Sequence, residues 1–309
     1  MKVPGSLAVF ALLPFLAGCT TAADFTQRYG RIFEETENLS VVLVDPCVAD
    51  LPFDRGCRFI QGGWIKKIAV KKDGWDWTPL MKSSVFDYHA AFGVPEEIVP
   101  SIRLSGLGEN KSLQLKVGVG MVMRHGDNVF GDTPVAYFPW TMESGRDNRG
   151  RPQITFRQEF HSRTHGYVFS KSLLFEGDGM IRMDCTLNWK GSRSLSFESY
   201  LHPFIRLDDA PQYYRYSLTE NISSPEKWNP IPVSSKQPSV DLESGFPAGK
   251  WIAINNEKNS NRVIAVRCSR PIKKIRFWFD NDCFSVEPFV AFSVTPESSV
   301  HWSWTLLAR

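Results

Sequence analysis

The sequence predicts an all-β protein whose large antiparallel sheets stack face to face, and three observations lead there. From about Cys57 onward, short runs of β-branched and aromatic residues alternate with Gly, Pro, Asn and Asp. Between Ile181 and Leu187, the apolar Ile181, Met183, Cys185 and Leu187 alternate with Arg182, Asp184 and Thr186. That period of two turns one side to a core and the other to solvent or a cleft. Few segments after position 40 repeat apolar residues at the 3.6 spacing of an amphipathic helix. The 309 residues are 42% hydrophobic and 13% aromatic, enough for a sizeable core and unlike a disordered or collagenous chain. With 36 Lys+Arg against 33 Asp+Glu, the net charge of +3 is too small to concentrate the basic face a nucleic-acid partner demands.

The strand runs follow in order at 64–70, 114–121, 153–160, 166–175, 180–189 and 195–202, then at 251–255, 262–268, 274–279, 284–294 and 300–307. Residues 217–250, rich in Ser, Pro and Asn, interrupt them and read as a long excursion from one large domain, because strand signals resume afterwards with similar composition. Stacked sheets are the arrangement such strands favour.

Only the N-terminus is apolar enough to enter a bilayer. Lys2 opens a short positive region, and 7–16 form an apolar run too short for a permanent span. Leu16-Ala17-Gly18-Cys19 then resembles the bacterial lipobox. The resemblance implies a signal peptide over 1–18, lipidation of Cys19 and a membrane anchor facing an oxidising compartment, at the periplasmic face or outer membrane of a cell envelope. Residues 19–42 are expected to be a tether with a short helix around 25–35, and 43–309 the folded domain.

Five cysteines remain after Cys19. Cys47 with Cys57, or Cys268 with Cys283, are spaced so that either pair is a candidate disulfide, and one thiol must stay free. No CxxC, HExxH or His-x-His spacing points to a metal. His161 and His165 bind one only if the backbone between them folds back on itself.

Three segments taken together resemble the galactose mutarotase-like superfamily, which includes the aldose 1-epimerases. The first is Gly56-Cys57-Arg58-Phe59 with Gly62-Gly63-Trp64-Ile65, followed by Phe86-Asp87-Tyr88-His89-Ala90-Ala91-Phe92-Gly93. The second runs from Gly166-Tyr167 through Leu187-Asn188-Trp189-Lys190-Gly191 to Ser199-Tyr200-Leu201-His202-Pro203-Phe204. The third joins Phe284-Ser285-Val286-Glu287-Pro288-Phe289 to Val294-Thr295-Pro296-Glu297-Ser298 and Trp302-Ser303-Trp304. Two departures stand out: Thr295-Pro296-Glu297 replaces the family's Pro-Gly-Glu, and the loop carrying a second active-site histidine has no match.

The resemblance implies the β-supersandwich fold and a cleft for a monosaccharide or the end of a glycan. It also implies interconversion of aldose anomers without a cofactor. A base removes the C1 hydroxyl proton while an acid protonates the ring oxygen. These roles fall on Glu287 as base and His202 as acid. His202 ends an alternating strand, where an imidazole meets both water and sugar or is simply satisfied by a backbone carbonyl. Glu287 sits in an apolar strand next to Pro288, which cannot donate to a ladder; burial there would raise its pKa. Arg58 offers a fork for adjacent hydroxyls, and His89, Arg124, Gln158, Lys171 and Asp208 are further candidates for substrate contact. Trp75 and Trp77, flanking Asp76 in an expected loop, are candidate stacking platforms. The rival expectation is a glycan-binding envelope lipoprotein that keeps the fold without turnover.

Overall fold

The computed structural model describes residues 26–28, 31–47, 57–78, 93–106, 111–126, 132–207, 209, 211–234, 236–280 and 283–309. Cys19, His89 and Asp208 lie outside the described residues. Among the described residues the chain forms β-strands and one short 3-10 turn, with no α-helix.

Two large antiparallel sheets make the body. The first runs β11 (Trp140–Arg146), β12 (Pro152–His161), β13 (Gly166–Gly177), β14 (Met180–Trp189), β24 (Ser298–Ala308), β21 (Asn259–Cys268), β20 (Trp251–Asn256), β17 (Tyr214–Thr219) and β18 (Asn229–Pro230). The second runs β19 (Ser239–Phe246), β22 (Ile272–Asp280), β23 (Cys283–Val294), β15 (Leu195–Leu201) and β6 (Glu96–Val99), with β16 (Ile205–Arg206) pairing β23. Two smaller sheets flank them. One holds β1 (Thr26–Arg28), β2 (Arg31–Glu35), β3 (Leu39–Val44), β4 (Ile65–Val70) and β5 (Trp75–Asp76). The other holds β10 (Thr133–Tyr137), β9 (Gly120–His125), β8 (Lys111–Lys116) and β7 (Ile102–Gly106).

The expected alternation in β14 is realised residue by residue: Ile181, Met183, Cys185, Leu187 and Trp189 are buried, and the residues between them are half-buried. This face meets the second sheet in a core that includes Phe169, Trp302 and Trp304 on one side and Phe197, Leu201, Phe277 and Val286 on the other. Trp302 spans the gap, its ring centroid 6.1 Å from both Phe169 and Phe197.

A carboxylate sits inside this core. Glu96 is fully buried and takes hydrogen bonds from Ser199 Oγ at 2.6 Å and from Trp302 Nε1 and Trp304 Nε1 at 2.9 Å each. Lys171 Nζ lies 2.9 Å from its other oxygen, and Cys185 Sγ donates to that oxygen at 3.5 Å. Burial opposes the charge, but Lys171 and these donors hold the carboxyl below the ordinary carboxylate range. Strands β13, β14, β15 and β24 are thereby tied to β6.

Three expectations are corrected. The segment expected to be a tether with a helix near 25–35 contributes β1, β2 and β3, because Ile32 and Phe33 pair opposite Leu43 and Val42 in a ladder that a helix could not join. Residues 217–250 do more than loop out: β19 forms the edge of the second sheet beside β22. Neither proposed disulfide forms, since Cys57, Cys185, Cys268 and Cys283 are buried free thiols.

The Glu96–Lys171 pair gives a stability test. Lys171→Met leaves a buried carboxylate without its cation and is expected to cost about 3–5 kcal/mol in chemical denaturation. Adding Glu96→Gln to it removes the stranded charge and should recover much of the loss. A single Lys171→Met as stable as the parent contradicts this account.

Candidate active site

The site lies on the outer face of the second sheet and is laid out by strand register. Asp241 of β19 pairs opposite Arg276 of β22, which pairs opposite Glu287 of β23. Tyr200 of β15 pairs opposite Phe289. Two residues on, the same register sets His202 beside Glu287, with Nε2 and Oε1 3.1 Å apart. The neighbouring row reads Lys274, Phe289, Tyr200 and Glu97. The period of two puts both rows on one face.

Backbone contacts fix the histidine where β15 ends. His202 N–H donates to Pro95 O at 2.9 Å, and Phe204 N–H donates to Gly93 O at 2.8 Å. Gly93 has φ of 72°, and a side chain there would place Cβ 2.1 Å from Ile65 O, so this close approach requires glycine. The imidazole stacks on Phe204 at 4.1 Å and meets the edges of Phe59 and Trp278, both at 5.7 Å.

Burial governs the pair, whose side chains are only 3–4% exposed. It pushes the Glu287 carboxyl up to about 8, with Arg58 and Arg276 pulling the other way. Burial, then the Arg58 charge, pushes His202 well below its ordinary value. Near neutral pH the two side chains are therefore uncharged together and hold one proton between Oε1 and Nε2.

A second carboxylate on this face is treated in the opposite way. Glu97 Oε2 accepts from Arg58 Nε at 2.9 Å and from the Tyr200 hydroxyl, and Lys116 Nζ lies 2.8 Å from Oε1. Burial works against its ionisation, yet Lys116 and Arg58 hold its carboxyl down at about 2. Near neutral pH Glu97 is thus held charged and Glu287 neutral.

Of the residues singled out in the sequence, His202 and Glu287 meet and Arg58 stands beside them. The Arg58 guanidinium donates to Glu97 and, at 3.0 Å, to the Tyr200 hydroxyl, and it lies over the Phe59 ring at 4.6 Å. Its fork thus engages the framework around the pair. Arg124 is turned to Asp132, at 2.8 and 2.7 Å, and to Ser101. Gln158 lies in the first sheet, between the Tyr167 hydroxyl and Phe138 O, and Lys171 belongs to the Glu96 core. Trp77 is buried, while Trp75 lies in β5 under the guanidinium groups of Arg206 and Arg262, so neither is an open stacking platform. His161 and His165 are not joined by a third ligand: no group of three His, Cys, Asp or Glu suited to a metal occurs among the described residues.

Sequence reasoning missed Glu97, Lys116, Tyr200, Arg276 and Asp241. Tyr200 was within reach, standing two places before His202 and so on the same face. Glu97, Arg276 and Asp241 carried no local signal, because their roles come from pairing between distant strands.

Solved structures place this architecture. A galactose mutarotase-like protein from Lactobacillus casei superposes with a TM-score of 0.57 at 13% identity, covering 91% of this chain and all of that one. A galactose mutarotase related enzyme from Lactobacillus acidophilus gives 0.57 at 10% identity, covering 90% and 97% of the two chains. The chain has the galactose mutarotase-like fold. An aldose 1-epimerase candidate from Escherichia coli K12 also shares it, with a TM-score of 0.51, 16% identity and coverage of 90% and 98%. No family model matches the sequence, and no curated protein matches it.

The raised carboxyl carries a cost with a defined pH window. Below the ordinary carboxylate range Glu287 is neutral whether folded or unfolded, so burial costs nothing there. Between that range and about 8 the unfolded chain ionises while the folded one does not, and stability is lost as pH rises. Glu287→Gln cannot ionise, so its stability relative to wild type should climb between about pH 5 and pH 8, by on the order of 2–4 kcal/mol. Thermal denaturation at both pH values reads this, and a difference that does not change with pH contradicts it.

Proposed function

We propose that this protein interconverts the α and β anomers of an aldose, with Glu287 and His202 as the acid–base pair. The observation that carries the proposal is the 3.1 Å contact between a buried carboxyl and a buried imidazole; with the carboxyl pushed up and the imidazole pushed down, the pair has one proton to give and one site to take one. Anomer exchange needs that stoichiometry: one site to give a proton and one to take one. The hydroxyl and ring oxygens are both bonded to C1, close enough together for two adjacent side chains to address both. The mutarotase-like fold supports a sugar as the ligand.

With Glu287 protonated and His202 neutral, the imidazole takes the C1 hydroxyl proton while the carboxyl protonates the ring oxygen. The bond between C1 and the ring oxygen breaks, and the carbonyl forms. Arg58 and Arg276 favour the Glu287 carboxylate as it appears. After rotation about the bond from C1 to C2, the roles reverse. Glu287 acts as base toward the open-chain hydroxyl and His202 as acid toward the carbonyl oxygen, which closes the other anomer. For ring opening this reverses the expected assignment, which had Glu287 as base toward the C1 hydroxyl and His202 as acid toward the ring oxygen, because the raised carboxyl enters the cycle protonated and the imidazole neutral; the step uses no cofactor.

Polarimetry on freshly dissolved α-anomers of glucose and galactose tests this. Wild type should accelerate relaxation of at least one of them over buffer, and Glu287→Gln and His202→Ala should each lose about 10²–10⁴-fold of that acceleration. Equal rates for all three proteins and buffer end the catalytic proposal.

The depth of the pair favours one rival, a glycan-binding protein without turnover. It is supported if sugar binding survives both substitutions and no acceleration occurs in wild type. We further propose that lipid at Cys19 tethers the protein to the cell envelope, on the strength of Leu16-Ala17-Gly18-Cys19. Cys19→Ser should abolish labelling by radioactive palmitate and release the protein from the membrane fraction; retention of both overturns the anchor.

A further inference from the structure

We propose that a cleft on the outer face of the first sheet binds a short saccharide, at a site separate from the Glu287–His202 pair and independent of its chemistry. Strand register lays out the floor. Tyr214 and Tyr216 of β17, Ile254 of β20 and Ile264 of β21 pack on the core, so Arg215, Asn255 and Val263 beside them turn outward. Arg215 pairs opposite Asn255, which pairs opposite Val263. The Arg309 N–H donates to Val263 O at 2.9 Å and continues this row past the end of β24. The pair lies on the outer face of the other sheet, so the core separates the two sites.

Residues 220–228 fold over the row and make the wall. Arg309 Nη2 donates to Ile222 O at 3.2 Å, and the Ser223 N–H donates to the Asn221 side chain at 3.0 Å. Asn229 and Pro230 of β18 then pair with Tyr216 and Arg215. Ile222 and Trp228 are thereby packed on the outward patch of Trp251, Ala253, Val263, Ala265 and Leu307. Between loop and sheet a cavity of about 420 Å³ stays open, within the roughly 300–1,000 Å³ of small-molecule sites. Hydrogen bonds and packing hold the loop in place, so the cleft is formed before any ligand arrives.

The walls select the occupant. Ile222, Pro225, Trp228 and Val263 give an apolar surface, suited to the C–H face of a sugar ring. Arg215, Ser223, Glu257 and Arg309 supply polar groups around it. Arg215 Nε lies 2.7 Å from Glu257 Oε1, and its Nη1 donates to Gln212 O and Tyr214 O, which fixes the pair at the rim. The Glu257 side chain is 48% exposed, so lone pairs beyond the ion pair face the cleft and solvent. The Ser223 hydroxyl and Trp228 Nε1 make no hydrogen bond among the described residues. A carboxylate among two guanidinium groups opposes a purely anionic guest, and the polar rim opposes a purely apolar one. Hydroxyl groups both donate and accept, and so answer the whole set.

Titration calorimetry with maltose, cellobiose, lactose and N,N′-diacetylchitobiose tests the cleft. At least one should bind, and Trp228→Ala should weaken that binding by about tenfold or more. Trp228 also packs on the sheet, so Glu257→Ala, at an exposed position, serves as the second variant and should weaken the same disaccharide. His202→Ala should leave this binding intact, and Trp228→Ala should leave anomer exchange intact. Absence of binding by every probe overturns the cleft. Binding that both cleft variants keep and His202→Ala loses also overturns it, because the sugar then sits at the pair. Cleft binding in a protein without anomer exchange upholds the cleft and overturns only the reaction.

Discussion

Within the apolar core between the two sheets, one buried carboxylate bonds to strands of both. Glu96 reaches from the short strand β6 into the gap between them and gathers Lys171, Ser199, Trp302 and Trp304 from three other strands. An ion in such a place is stable only because nearly every lone pair is used and the counter-charge is equally buried. The arrangement acts as a register lock. Shifting β6 by one residue would turn Glu96 out of the core and drive Glu97 into it.

That lock is what gives adjacent residues opposite work. Glu96 faces the core and Glu97 faces the site, so the strand that fixes the sandwich also delivers the negative charge around which Arg58, Lys116 and Tyr200 assemble. On the same face, two buried carboxylates then diverge. Two cations keep Glu97 ionised with its carboxyl at about 2, while Glu287, facing an imidazole, is pushed up to about 8. Titratable groups pushed apart by their surroundings are the means by which one site holds both fixed charge and mobile protons. The aromatic shell of Phe59, Phe204 and Trp278 keeps His202 neutral and oriented.

Much of the fold was legible because the strand period writes burial directly into residue type, as in β14, where each apolar residue from Ile181 to Trp189 is buried. The same logic placed His202 at a strand end. It failed where apolar content was low or pairing was remote. The segment 31–35 was expected to be helical, and only the ladder to β3 shows it to be a strand. Trp75 and Trp77 looked like exposed aromatics because the arginines that cover Trp75 come from positions 206 and 262. Arg58 and Arg124 looked free to bind ligand because their carboxylate partners, Glu97 and Asp132, are unremarkable in sequence.

By itself the sequence determined the alternation that makes this chain all-β, and the chemical identity of one carboxylate and one imidazole able to exchange a proton. It could not determine that they meet, since contact depends on the register of β15 against β23, a property of hydrogen bonds between segments far apart in the chain. Nor could it set their proton affinities, which follow from how completely water is excluded and which guanidinium groups stand near. Those are attributes of the packed sheet face, and tertiary structure alone decided them.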